Sequence, residues 1–259
     1  EKLELFRKFE AISFQVNTEK NNLYYNNIYL KYNPIYKQDT RSLWELQLDT
    51  TISSEPQLVM NHKTDAKEIF VQDEANKIYL ISNTGKVIWS KQLQSKIIGK
   101  THQIDVYKNN KLQLLFNTKN KIYLLDRNGN NVEKYPIKLN SEATNNLTPL
   151  DYSKTRDYRI LIGCANNMVY NYNIQGDLVK GWEYQAATSF ANQEMWHFAL
   201  KNKDYIVIPL QNGQVKVVER SGKDRLSITE KLAKNSKQVF LKVGRELNKT
   251  YVTSIDTNG

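Results

Sequence analysis

The sequence predicts an all-β chain made of β-propeller blades, and three observations carry that prediction. Short apolar runs rich in Ile, Val, Leu and Tyr recur along the chain, each bounded by Asn, Asp, Ser or Gly. Turn glycines Gly85, Gly129, Gly176 and Gly222 follow one another at intervals of 44 to 47 residues. Around those glycines the runs group in fours, and a repeat of roughly 40–50 residues with four short strands is the signature of a propeller blade. A β-sandwich predicts evenly spaced strands but no such recurrence.

Taken in order, Glu1 to Glu10 is charged, with Leu3, Leu5, Phe6 and Phe9 at spacings a short helix tolerates. Ala11 to Thr18 alternates apolar and polar residues, Glu19 to Asn22 turns the chain, and Leu23 to Tyr32 returns as a second strand. Asn33-Pro34 ends that hairpin, because proline has no N–H for a ladder and pushes its predecessor out of the helical region. Ile35 to Thr40 reads as a connector. This divides the chain into residues 1–40, a hairpin extension that ends a preceding domain, and residues 41–259, the propeller repeats.

Ser42 to Asp49 (SLWELQLD) matches Val87 to Leu93 (VIWSKQL) and reads as a lone fourth strand. The first full unit has strands at Pro56–His62, Lys67–Glu74, Lys77–Ser82 and Val87–Leu93. The second has His102–Lys108, Leu112–Thr118, Lys121–Asp126 and Val132–Leu139. The third has Leu147–Tyr152, Tyr158–Ala165, Met168–Asn173 and Leu178–Tyr184. The fourth has Met195–Leu200, Tyr205–Gln211, Gln214–Glu219 and Arg225–Thr229. A fifth begins with Gln238–Val243 and Thr250–Asp256. The second strand of each unit is the most apolar, as a strand buried between stacked blades should be. Four complete units plus partial blades fit either a five-bladed ring, with the hairpin filling the missing strand, or part of a larger propeller. The chain begins at Glu1 without Met and stops at Thr257-Asn258-Gly259, which reads as mid-turn, so continuation is the expectation.

Lys77 to Leu93 (KIYLISNTGKVIWSKQL) is the best-preserved copy of the repeat. Asn83-Thr84-Gly85-Lys86-Val87-Ile88-Trp89 resembles the Thr-Gly-x-x-x-Trp core of PQQ-like (quinoprotein-type) propeller repeats. The match decays elsewhere: Gly129 has no Trp after it, Gly176 has Trp182 six residues on, and Ser221-Gly222 keeps only the turn. The resemblance covers Ser42 to Asp256 and implies that the tryptophans pack between blades. The composition and layout also resemble surface or envelope proteins of Bacteroidetes-type bacteria, which implies a cell-envelope or extracellular location.

An apolar fraction of 40% with 16 Tyr, 8 Phe and 4 Trp supports a packed core despite a mean hydropathy of −0.64. The net charge of +10 suits an anionic partner, but lysines are scattered over turns and not gathered on one face with aromatics, so nucleic acid is not the expected partner. The single cysteine, Cys164, excludes an intrachain disulfide and sits in an apolar setting. No run of about 18 apolar residues exists to span a membrane.

Each chemical motif has a plainer reading beside it. Asp151, Ser153, Thr155 and Asp157 alternate as oxygen ligands of calcium would, yet Lys154 and Arg156 oppose a cation and an Asx turn explains the pattern. His62, His102 and His197 lie near first strands without metal-ligand spacing. Asp105 and Asp151 are the first-strand acids that an axial glycosidase would need, and two acids at unknown separation do not make one. Tyr170, Tyr172, Trp182, Tyr184, Trp196 and His197 form either a stacking platform or propeller core. A quinone enzyme needs a tryptophan floor and a calcium site that nothing here assembles. The sequence therefore assigns no catalytic, cofactor-binding or metal residue, no cofactor, and no specific binding residue. The function expected is a non-catalytic binding or scaffolding propeller of a larger bacterial protein, with a protein or carbohydrate partner. The alternatives are a carbohydrate-active hydrolase with axial carboxylates and a basic polyanion-binding surface.

Overall fold

Short apolar runs bounded by turn residues make the strands here, and the chain is all-β. The computed structural model describes residues 6, 8–19, 23–33, 42–234, 236 and 238–255. It divides into two units, Glu1–Glu45 and Leu46–Gly259. The connector at Ile35–Thr40 and the turn at Thr257–Gly259 lie outside the described residues.

The first unit holds an antiparallel hairpin of β1 (Phe9–Glu19) and β2 (Leu23–Tyr32). Ile12 faces Leu30 and Phe14 faces Ile28, so one side of the hairpin is apolar, and all four side chains are exposed. The expected helix is corrected in part: Glu1–Leu5 and Arg7 lie outside the described residues, and Phe9 and Glu10 already belong to β1. Ser42 to Asp49 is not a strand, because a strand needs a ladder and none forms along it.

In the second unit four sheets follow one another, each an antiparallel meander. The first blade is β3 (Gln57–Met60), β4 (Lys67–Gln72), β5 (Lys77–Ile81) and β6 (Val87–Gln92). The second is β7 (His102–Ile104), β8 (Gln113–Asn117), β9 (Lys121–Leu125) and β10 (Ile137–Lys138). The third is β11 (Thr148–Leu150), β12 (Arg159–Gly163) and β13 (Val169–Asn173). The fourth is β14 (Trp196–Leu200), β15 (Lys203–Pro209), β16 (Val215–Val218) and β17 (Asp224–Leu226). β18 (Gln238–Lys242) and β19 (Tyr251–Ile255) open a fifth, with a 3-10 turn at Leu247–Lys249 between them.

Three fourth strands are clearly shorter than the sequence suggests, that of the fourth blade ending at Leu226 and not Thr229. In the second blade only Ile137–Lys138 pairs, since Pro136 just before it has no N–H to donate. In the third, Leu178 to Tyr184 makes one bridge, Tyr172 to Leu178, before Trp182 turns back to donate its indole N–H to the Val169 carbonyl at 2.7 Å.

Burial follows strand position. Every residue of β8 is buried, and β12 is buried from Ile160 to Gly163. Each sheet stacks on the next: Leu115, Ile122 and Leu124 of the second blade meet Leu147, Ile160 and Ile162 of the third. The fourth-strand side chain of one blade sits on the turn glycine of the following blade. Trp89 lies over Gly129, where an added Cβ would come within 2.8 Å of the indole, and its N–H donates to the Arg127 carbonyl at 2.8 Å. Only a residue without Cβ at φ +81° accepts that contact. Ile137 over Gly176 and Trp182 over Gly222 repeat the arrangement.

Side-chain amides and hydroxyls tie each blade to the next. Between the first and second, Gln57 Nε2 donates to the Gly99 carbonyl at 3.4 Å and its oxygen accepts the Thr101 N–H at 2.7 Å. Between the second and third, buried Asn117 donates to the Asn145 carbonyl at 3.2 Å and accepts the Leu147 N–H at 2.8 Å. Between the third and fourth, Asn145 donates to the Gln193 carbonyl at 2.9 Å, while Thr148 Oγ1 accepts the Met195 N–H at 3.3 Å.

Candidate functional site

In a four-stranded meander, the loop after the first strand and the turn after the third lie at the same end of the sheet. In the first three blades those loops converge on a cleft of ≈ 380 Å³. His62 and Asp65 come from the β3–β4 loop, Gln103 from β7, Asp105 and Asn110 from the β7–β8 loop, and Arg156 and Tyr158 from the segment before β12. Met60 and Leu112 supply apolar wall.

Asp105 organises the cleft. Its buried carboxylate accepts the N–H groups of Asn109 at 3.1 Å and Asn110 at 2.7 Å and pairs with the Arg156 guanidinium. Burial alone would push its pKa up. The backbone donors and Arg156 outweigh that and hold it below the usual carboxylate range. The Tyr158 hydroxyl accepts the Asp105 backbone N–H at 3.3 Å. His62 Nδ1 accepts the Leu112 N–H at 3.1 Å, which leaves the ring proton on Nε2. Partial burial, then Arg127, Lys63 and Lys111, lower the His62 pKa, so the ring is neutral. Gln103 is engaged at both ends, accepting the Met60 N–H at 2.6 Å and donating to the Met60 carbonyl at 2.8 Å. A second acid–base pair of the same kind, Glu68 with Arg127, joins the first blade to the second.

Of the residues singled out from sequence, His62 and Asp105 share this cleft and the rest lie elsewhere. His102 sits half-buried beside Asn146, with Nε2 at 3.3 Å from the amide nitrogen, and burial lowers its pKa. His197 meets Asp204 at 2.6 Å under the edge of Tyr152. Asp151 accepts the N–H groups of Thr155 at 3.0 Å and Arg156 at 2.8 Å; Thr155 donates to Asp157 at 3.0 Å, and Asp157 pairs with Lys108 at 2.7 Å. Among the described residues no three His, Cys, Asp or Glu gather as a metal site. Tyr172 and Tyr184 are core, with Tyr184 stacked on Trp182, so the aromatic residues do not form one continuous exposed platform. Arg156, Tyr158 and Gln103 were not singled out. The signal for them is the period itself: Arg156 lies 51 residues from Asp105, about one blade on.

A larger and more apolar groove, ≈ 600 Å³, lies between the fourth and fifth blades. Val207, Val215, Val217 and Leu226 form one wall, and Leu241 and Val252 the other. Among the described residues β19 pairs only with β18.

No family model matches the chain, and no curated protein matches it. Solved structures do. The chain is similar to BBS1N in crystals of its complex with ARL6DN, at 17% identity over 90% of this chain and 69% of that one. The TM-score is 0.55 for the mercury-soaked crystal and 0.52 for the lead-soaked crystal. The fold is a β-propeller. A weaker likeness, TM-score 0.43 at 14% identity over 66% of this chain and 47% of that one, is to the WD40 domain of Neurospora crassa Pan2. At these identities the likeness bears on the fold alone. No helix among the described residues is long and apolar enough to cross a membrane.

Proposed function

We propose that this chain is a non-catalytic binding module, a propeller that takes a protein partner on the face made by its first-to-second-strand loops. The observation that carries the reading is the cleft around Asp105. Three blades build it, its buried acid Asp105 is already committed to Arg156 and two backbone donors, and its histidine accepts the Leu112 N–H. A glycosidase needs a pair of free carboxylates, of which the exposed Asp65 is one alone, and a binding site needs fixed donors and shaped walls. BBS1N, whose fold the chain shares, crystallised in a complex with ARL6DN, and a protein partner here fits that use of the fold.

The proposal extends to the architecture. Residues 41–259 act as the propeller, residues 1–40 as an extension from a preceding domain, within a larger bacterial protein of the cell envelope. Trp89 over Gly129 and Trp182 over Gly222 support reading the repeats as PQQ-like. The test is a screen of the purified chain against peptide and glycan arrays, repeated with Tyr158→Ala. Peptides retained by the parent and lost by the variant are the expected result. Glycans retained and cleaved, or peptides retained equally by both, would overturn it.

A further inference from the structure

In the cleft around Asp105 the acceptors of Asp105, Gln103 and Tyr158 are used and donors are left over. The Asp105 carboxylate is occupied by Asn109, Asn110 and Arg156, the Gln103 oxygen by Met60, and the Tyr158 oxygen by the Asp105 N–H. His62 keeps an Nε2–H, because Nδ1 is the atom that accepts from Leu112. Tyr158 keeps its hydroxyl proton, since its oxygen acts as acceptor toward Asp105. Arg156 carries five N–H groups, uses one toward Asp105, and remains 41% exposed. The surplus charge beside His62 is positive: Lys63 and Lys111 act on it, while Glu68 is balanced by Arg127 and Asp105 by Arg156. Asp65 lines the same cleft from an exposed loop position and is, among the described residues, its one carboxylate without a bonded partner.

Donors without acceptors call for a ligand that brings acceptors and negative charge. The walls add a size criterion, because Met60 and Leu112 line the opening with the apolar surface a short methylene stem can cover. We infer that the cleft seats the carboxylate of a glutamate side chain presented by an acidic segment of the protein partner. The carboxylate lies among Arg156, Tyr158 and His62, with the stem against Met60 and Leu112. This rests on the loop face being the binding face. A bidentate guanidinium–carboxylate contact supplies geometry that a lysine-rich surface lacks.

Fluorescence anisotropy with a fluorescein-labelled hexaglutamate peptide tests it, with hexaglutamine and inorganic phosphate as comparison probes. Hexaglutamate binds, hexaglutamine does not, and propionate competes where propionamide fails. Tyr158→Phe and His62→Phe each weaken binding about tenfold, the loss of roughly one charge-assisted hydrogen bond. Lys231→Glu, a charge change at the distant apolar groove, leaves affinity within about twofold by salt screening. Thermal melting of each variant separates lost binding from lost folding. Equal loss from Lys231→Glu and Tyr158→Phe would mean diffuse charge attraction and overturn the site. Phosphate competing better than propionate would overturn the carboxylate assignment. If hexaglutamate fails while the arrays yield a neutral peptide that depends on Tyr158, the binding face stands and the carboxylate falls. If nothing depends on Tyr158, both fall.

Discussion

The junction between the second and third blades and the junction between the fourth and fifth are made of the same elements and differ in closure. At the first, Leu115, Ile122, Leu124, Leu147, Ile160 and Ile162 are buried to 0% exposure, Ile137 covers Gly176, and Asn117 bridges the sheets. At the second, Val207, Val215 and Val217 face a blade that among the described residues holds β18 and β19, and a ≈ 600 Å³ groove remains. The second strands show the result directly. β8 is buried throughout, while β19 alternates exposed and half-buried residues. A blade's burial is therefore a property of its two neighbours more than of its own sequence, as expected when stability is a sum of nearest-neighbour interfaces.

The sharpest way to break the comparison is to empty both junctions. Leu124→Ala should cost about 4 kcal/mol and lower the Tm by roughly 10 °C, whereas Val252→Ala at the groove should cost about 1 kcal/mol. Equal losses in urea titrations would end the distinction between closed and open junctions. Next in size is Trp89→Ala, at about 3 kcal/mol, because it removes both the contact with Gly129 and the bond to Arg127. An unchanged melting temperature would remove its role as an inter-blade dock.

A smaller effect tests the polar contact across the closed junction. Asp105 has its folded pKa held below the ordinary value, so its stabilisation is present above about pH 4 and is lost as pH falls through the folded pKa. Asp105→Asn should cost about 1–3 kcal/mol at pH 7 and should show a shallower loss of Tm than the parent as pH falls below about 4. Parallel curves for the two would refute the coupling. The smallest effect is a rate. Burial pushes the Cys164 thiol up to about 12, so it should resist thiol reagents at neutral pH in the folded protein. Its labelling should speed up in Leu124→Ala, which shares its packing cluster, and not in Val252→Ala. Rapid labelling of the parent would contradict the closed junction.

Much of this was legible in the sequence, for identifiable reasons. The turn glycines mark a backbone demand that few residues meet, so Gly85 to Gly222 gave the period, and apolar runs such as LQLLFNT gave the buried second strands. What failed depended on partners distant in the chain. SLWELQLD has the pattern of a strand but no ladder, and Leu178–Tyr184 has one too, yet Trp182 bends back to bond Val169. At the cleft, His62 and Asp105 were visible as residue types. Their partners Leu112 and Arg156 were not, because each lies about one blade away and only the fold brings them together.

The ties between blades bear on how unlike in sequence two adjoining blades can be. One carbonyl and one N–H in each connection, at Gly99 and Thr101, Asn145 and Leu147, and Gln193 and Met195, are bonded every time. The side chains that bond them are a first-strand glutamine, a second-strand asparagine, and an asparagine with a threonine. Since the backbone pair is served from any of these places, the joint does not depend on one side-chain position. Blades of quite different sequence can then share one joint, recognisable by its two backbone bonds and not by its residues.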